Sequence, residues 1–198
     1  VTEAATTYGL EFDKPYAGTE PMGFPAYKAQ SEWSIGDRDD ILARCHQVAE
    51  RNPLAIAGLA YTEMYAVGRG SQVSYKATEV KEVLKRFIKD NSLAQLEKDL
   101  VHTLPVDGEI FLRYFGRAGN TSVACLPAWD IRDIETEPDD RTKPVNYTVR
   151  QWKNGVAETK PVPADEILHV SINKYAYELR GRPDLFAILP WLKAYRDM

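Results

Sequence analysis

The sequence is short of the residues that most often carry chemistry. Its 198 residues include two cysteines and three histidines. His46, His102 and His169 lie far apart, and none has a Cys or His at metal-ligand spacing. That argues against a zinc centre. His46 follows Cys45 directly, and on a helix two adjacent side chains diverge. The histidines are therefore expected to be solvated or hydrogen-bonded. Cys45 falls on an apolar helical stripe and Cys125 in an apolar strand-like run, so both are expected as reduced, buried thiols. No G-x-x-x-x-G-K-S/T loop and no G-x-S-x-G elbow occurs, which removes the familiar ATPase and hydrolase signatures. Gly68-Arg69-Gly70 is a lone glycine pair and reads as a helix stop. Dense Lys/Arg runs are missing and the net charge is −4. Tight nucleic-acid binding by charge neutralisation is disfavoured, while weak or non-adhesive contact with DNA stays open. There is no signal peptide, lipidation motif or apolar run long enough to cross a membrane. Repeats and low-complexity tracts are missing too.

What remains is an ordinary core-forming composition, 44% apolar with many Tyr and Trp, which points to a folded chain of one domain or two small ones. Val1–Ser34 has Pro, Gly, Tyr and Thr without periodicity and reads as an extended arm. Asp37–Asp40 opens a helix continued by Ile41, Leu42, Cys45, Val48 and Ala49. Asn52 and Pro53 are a cap and first residue for a second helix, with Leu54, Ala57, Ala60, Tyr61, Met64 and Tyr65. That helix is apolar over a wide arc, which predicts burial on more than one side. Gln72–Lys76 reads as a short strand, and Thr78 as the cap of a helix carrying Val80, Val83, Leu84, Phe87 and Ile88. A further helix with Leu93, Leu96 and Leu100 is expected to end near Pro105.

Asp107-Gly108 turns the chain into a strand at Glu109–Phe115. Ser122–Leu126, Ile131–Glu135, Asn146–Trp152 and Glu166–Ile172 follow as strands, with Asn154-Gly155 a tight-hairpin signal. Leu185, Ile188, Leu189 and Leu192 then form a helical stripe in which Pro190 should kink or restart the helix.

Three places invite a functional reading. Asp107 and Glu109 would share a strand face as a carboxylate pair, although a simple turn is the favoured reading. Asp130–Asp140 is the most acidic stretch; its spacing lacks the calcium-loop pattern, leaving a solvated strand or a surface that repels a polyanion or meets a basic partner. Arg180 and Arg182 flank Gly181 and suit either a phosphate contact or a surface turn.

Taken in order, several segments resemble one family. Asp40-Ile41-Leu42-Ala43-Arg44, then Glu50-Arg51-Asn52-Pro53-Leu54-Ala55, is similar to the helix opening of tailed-bacteriophage portal proteins of the lambda type. That family has an Arg-Asn-Asn-Pro-x-Ala run, whereas one Asn precedes Pro53 here. Ala66-Val67-Gly68-Arg69-Gly70 fits the family's Val-Gly-x-Gly end, and Val106–Phe111 its Asp-Gly-Glu strand opening. Val162–Val170 is similar to its Ile/Val-Pro-Ala-Asp-Glu-Ile-x-His segment, and Leu179–Pro183 to its Arg-Gly-x-Pro before a long helix. The order holds from Asp37 onward; the last two motifs together are the most specific.

The resemblance implies an α+β, portal-like fold. Residues 1–36 would be the extended arm, 37–121 a helical wing-like region with a strand, 122–180 a β-rich clip-like region, and 181–198 the start of a stem helix. Family chains continue well past this point, so the sequence reads as an N-terminal part. The implied role is structural rather than enzymatic, with no cofactor. Twelve subunits would form a ring at the capsid vertex of the virion, assembled in the host cytoplasm. Implied partners are further copies of the chain, the terminase large subunit, head–tail adaptors, the major capsid or scaffold protein and transient double-stranded DNA, without a membrane. Asp133, Glu135, Glu137, Asp139 and Asp140 are the expected partner-binding surface, and Arg180 and Arg182 the expected DNA-phosphate or subunit contacts. Asp107, Glu109 and His169 become structural positions. A different head–tail or baseplate adaptor, or an enzyme whose site is completed elsewhere, are the alternative readings.

Overall fold

The computed structural model describes residues 35–71, 73–74, 78–117 and 120–196. The expected arm at 1–34 and most of the expected strand at 72–76 lie outside the described residues; Val73 and Ser74 are not in a strand. Among the described residues the fold is an α+β mix of five helices and two small antiparallel sheets.

α1 (Ile35–Arg51) and α2 (Pro53–Ala66) meet at Asn52. The Asn52 Oδ1 accepts from the N–H groups of Leu54 (3.0 Å) and Ala55 (3.3 Å), capping a helix that begins with Pro53. Its amide also donates to the Leu192 carbonyl at 3.2 Å, tying this corner to α5 (Asp184–Arg196). α5 runs through Pro190 as one helix and buries Leu185, Leu189 and Leu192, while Ile188 is exposed. α3 (Thr78–Asp90) and α4 (Leu93–Asp107) join at Asn91. The Asn91 amide donates to the Phe87 and Thr121 carbonyls, and its oxygen accepts from the Val123 N–H, pinning the turn to the sheet. α4 carries Pro105 and runs two residues beyond it. Gly108 ends it at φ 75°, donating to the Leu104 carbonyl.

β1 (Glu109–Arg117) is the centre of the first sheet, between β2 (Asn120–Leu126) and β6 (Ile167–Ser171). The sheet therefore joins residues on both sides of position 121. The second sheet places β4 (Asp140–Lys153) between β3 (Ile131–Glu137) and β5 (Val156–Pro163). Asn154 and Gly155 both have positive φ, 52° and 79°, as a tight hairpin with Asn-Gly demands. Pro161 and Pro163 are tolerated because β5 is an edge strand.

Two cores share α1 as a wall. Ile41, Cys45 and Ala49 pack with Ala55, Leu59, Val106, Leu185, Leu189 and Leu192. Leu42 turns the other way, to Phe111, Ala128, Ile131, Tyr147, Val149, Val162 and Ile167.

Besides the unbroken helix at Pro190, two sequence expectations need correction. Cys45 is buried, but Cys125 is exposed. It lies opposite Leu112 on edge strand β2, one residue out of phase with the Phe111 face that enters the core. α2, expected to be covered on more than one side, buries only Ala55 and Leu59. Its other apolar side chains have no covering layer within the described residues.

Candidate functional site

The segments that carry the portal resemblance converge on one carboxylate. Glu109 is the first residue of β1, directly after the α4 cap, and is 1% exposed. Its Oε1 accepts from Arg38 Nη1 (3.2 Å) and from Arg180 Nη2 (2.6 Å) and Nε (3.0 Å). Its Oε2 accepts from the Gly181 N–H at 3.2 Å and lies 3.3 Å from His169 Nε2. Arg38 also donates to the Gly181 carbonyl (3.1 Å). Arg180 donates to the carbonyls of Ile131 (3.1 Å) and Ala128 (3.3 Å). His169 stacks on Phe111 with ring centres 4.2 Å apart, and its Nδ1 is 3.4 Å from the Tyr147 hydroxyl. One carboxylate thus joins α1, β1, β6, the loop before α5 and, through Tyr147, the second sheet.

Two glycines let these segments meet. A Cβ on Gly108 would stand 2.2 Å from the Arg182 carbonyl carbon, and one on Gly181 would stand 2.0 Å from the Gly108 oxygen. The backbones hydrogen-bond there, Ile172 N–H to Gly108 O at 2.9 Å and Arg182 N–H to Ile172 O at 3.0 Å. Asp107-Gly108-Glu109 and Arg180-Gly181-Arg182 therefore interlock backbone to backbone, which only glycine permits.

The electrostatics favour a structural role. Burial alone would raise the Glu109 carboxyl, but the His169 hydrogen bond and the Arg180 and Arg38 charges outweigh it and hold the group down at about 2. Such a group is a poor proton acceptor at neutral pH. Burial pushes the Tyr147 phenol up to about 12. Burial, aided by Asp107, does the same to the Cys45 thiol, so neither is an activated nucleophile at neutral pH. Asp107 does not pair with Glu109. It meets His46 Nε2 at 2.6 Å, tying the end of α4 to α1, and the His46 ring stands edge-on to Trp129. That hydrogen bond leads in raising the His46 pKa, against a lowering by burial.

The five expected acidic residues all fall on the β3–β4 hairpin. Asp133, Glu135 and Glu137 alternate on the exposed face of β3, Asp139 lies in the two-residue turn at the tip, and Asp140 opens β4 opposite Glu137. Lys143, 3.7 Å from Glu137 and 3.5 Å from Asp140, partly neutralises the surface, and Glu135 accepts a hydrogen bond from the Asn146 amide (2.8 Å). Arg180, expected at a DNA-phosphate or subunit contact, points inward instead. Its guanidinium, 8% exposed, is committed to Glu109 and two carbonyls. Arg182 is half-buried at the rim, paired with Glu178 at 2.6 Å and lying over the Tyr175 ring. Arg38 and Tyr147 entered no sequence reading. Arg38 had a signal: with Leu42, Cys45 and Ala49 it lies on one inward stripe of α1. Tyr147 looked like any strand aromatic.

Among the described residues no group of three His, Cys, Asp or Glu side chains could hold a metal ion. No helix there is long and apolar enough to cross a membrane. An open trough of about 400 Å³ runs along α1 between Asp40 and Arg51, mixing acids and bases.

Comparison with solved structures finds chains of similar fold. The fold is similar to that of a chain in the virion of a native gene transfer agent (GTA) particle. The fold is thus one that a virion uses. The TM-score is 0.52 at 15% identity, over 80% of this chain and 45% of that one. This chain therefore spans less than half the length of that neighbour, and the likeness is one of fold. No protein-family model matches the sequence, and no curated protein matches it.

Proposed function

We propose that this chain is the N-terminal part of a tailed-phage portal subunit, a structural protein of the virion rather than an enzyme. The observation that carries the reading is the fold likeness to a chain of a virion particle. It is joined by the way the portal-like segments are used. Arg180, Glu109 and His169 are sealed inside as a scaffold instead of facing a substrate.

In this reading the subunits form a ring, expected to be twelve-membered, at one capsid vertex. Its role in packaging and ejection is passive. Surfaces of net negative charge do not hold DNA, so the duplex slides at little cost. The motor is the separate terminase ATPase. The exposed β3–β4 hairpin, with Asp133, Glu135, Glu137, Asp139 and Asp140, is the proposed docking arm for terminase and later for head–tail adaptors, and residues 122–180 around it the clip-like region. Capsid or scaffold protein would surround the ring.

Negative-stain microscopy of the full-length gene product tests the reading. Rings with a central hole are the expected result. A clean monomer with metal-dependent hydrolytic activity would sink it. Reversing the charge of Asp139 and Asp140 should weaken terminase binding and packaging; unchanged binding would discard the hairpin as the docking arm.

A further inference from the structure

α2 is the anomaly of this fold. Glu63 is the only charged residue among Pro53–Ala66, so the helix is apolar nearly all round. A helix of that kind is normally buried. Here Ala55 and Leu59 face the core, while Leu54, Tyr61 and Tyr65 stand exposed on the adjoining stripe, Tyr65 by 82%. Leu54, Gly58, Tyr61 and Tyr65 are spaced i, i+4, i+7 and i+11, which puts them on one face.

Gly58 sharpens the case. A mid-helix glycine costs roughly 0.5–1 kcal/mol relative to alanine. Nothing among the described residues requires it, because a Cβ there would meet none of their atoms within 4 Å. It leaves a notch between Leu54 and the two tyrosines, open to a group from outside.

Among the described residues a second apolar strip is open. Leu168 and Val170 are exposed on the side of β6 opposite the His169 face, while their β1 neighbours Leu112 and Ile110 are half-buried and buried. Two different apolar faces are what a head-to-tail contact between identical chains needs, one to give and one to receive. The α2 face, with Met64 at its margin, offers on the order of 400 Å² of exposed apolar side chain. That is a large share of the roughly 800 Å² each partner contributes to a stable interface. Its exposed aromatic residues suit an interface anchor.

We infer that the Leu54–Gly58–Tyr61–Tyr65 face of α2 seats on the Leu168–Val170 face of a second copy of this chain, head to tail. The inference rests on the proposed ring and names the surfaces that would close it.

The test uses the full-length protein and mass photometry across a concentration series. Tyr65→Glu and Gly58→Leu should each raise the concentration for half-assembly by about 30-fold or more, the size expected of an interface hot spot. Leu168→Glu should do the same. Gly58→Ala is the folding control and should melt at or above the wild-type temperature. Mixing Tyr65→Glu with Leu168→Glu protein should give heterodimers and no larger rings, since each variant keeps one good face and the two altered faces repel. Assembly unchanged by the α2 variants overturns the inference. So does a monomer whose Tyr61 and Tyr65 become open to surface labelling only after residues 1–34 are removed, because the face is then covered by its own chain. Rings that survive these variants leave the portal reading standing and sink this one. Discrete dimers that need both faces do the reverse.

Discussion

Glu109 shows how much one side chain is asked to hold. An unpaired buried carboxylate would cost several kcal/mol, and here Arg38, Arg180, His169 and the Gly181 N–H answer it. Its folded value of about 2 lies below the unfolded value near 4.3. The unfolded chain therefore binds the proton more readily, and stability rises with pH across that interval. The contribution is complete above about pH 4.3 and is lost as pH falls toward 2, on the order of 3 kcal/mol. Glu109→Gln strands two buried guanidinium groups and should cost about 3–5 kcal/mol at pH 7 in urea unfolding. It should also flatten the acid limb of the stability profile; a wild-type slope between pH 2 and 4 would assign that limb to other carboxylates. Gly181→Ala forces a Cβ to 2.0 Å from the Gly108 oxygen and should cost about 3 kcal/mol, read as a lowered melting temperature. A melt within a degree of wild type would mean that the loop before α5 yields freely.

Between elements, small polar ties set the packing. Asn52 caps α2 and holds the Leu192 carbonyl of α5. Asn52→Ala should cost about 1–2 kcal/mol, more than a solvent-exposed cap of the same kind, by chemical denaturation. His46 and Asp107 join α1 to α4. The folded His46 pKa is raised, so its contribution is fully present below about 6.5 and fades as pH rises through the folded value. His46→Gln should therefore remove a pH-dependent part of stability above pH 6.5 and leave the acid limb to Glu109. Equal slopes for variant and wild type above pH 6.5 would contradict this.

At the scale of the molecule, α1 lines both cores, with Ile41 on the helical side and Leu42 on the sheet side. The two cores should melt together. Leu42→Ala should cost about 2–5 kcal/mol, with helix signal and tryptophan fluorescence falling in a single transition. Separate transitions would show that the sheets unfold apart from the helices.

The sequence by itself determined the local elements. Helical spacing in α1, the Asn52-Pro53 junction, the Asn154-Gly155 hairpin and the alternation of acids along β3 are short-range rules, readable wherever they occur. Resemblance to phage portals also came from ordered motifs; the likeness to a chain of a virion particle is one of fold alone. Only the tertiary structure decided what those motifs do. Glu109, His169 and Arg180 look like loose polar residues in a string, and Arg180 suited a phosphate contact or a surface turn equally well. Folding brings residues 60 and 71 positions away from Glu109 onto one carboxylate. Nothing local records that pairing, because its energy depends on burial and on partners distant in the chain. The exposed face of α2 has the same character. Its apolar pattern was plain in the sequence, and read there as burial. Among the described residues that face stands uncovered, which is what the proposed contact with a second copy is built on.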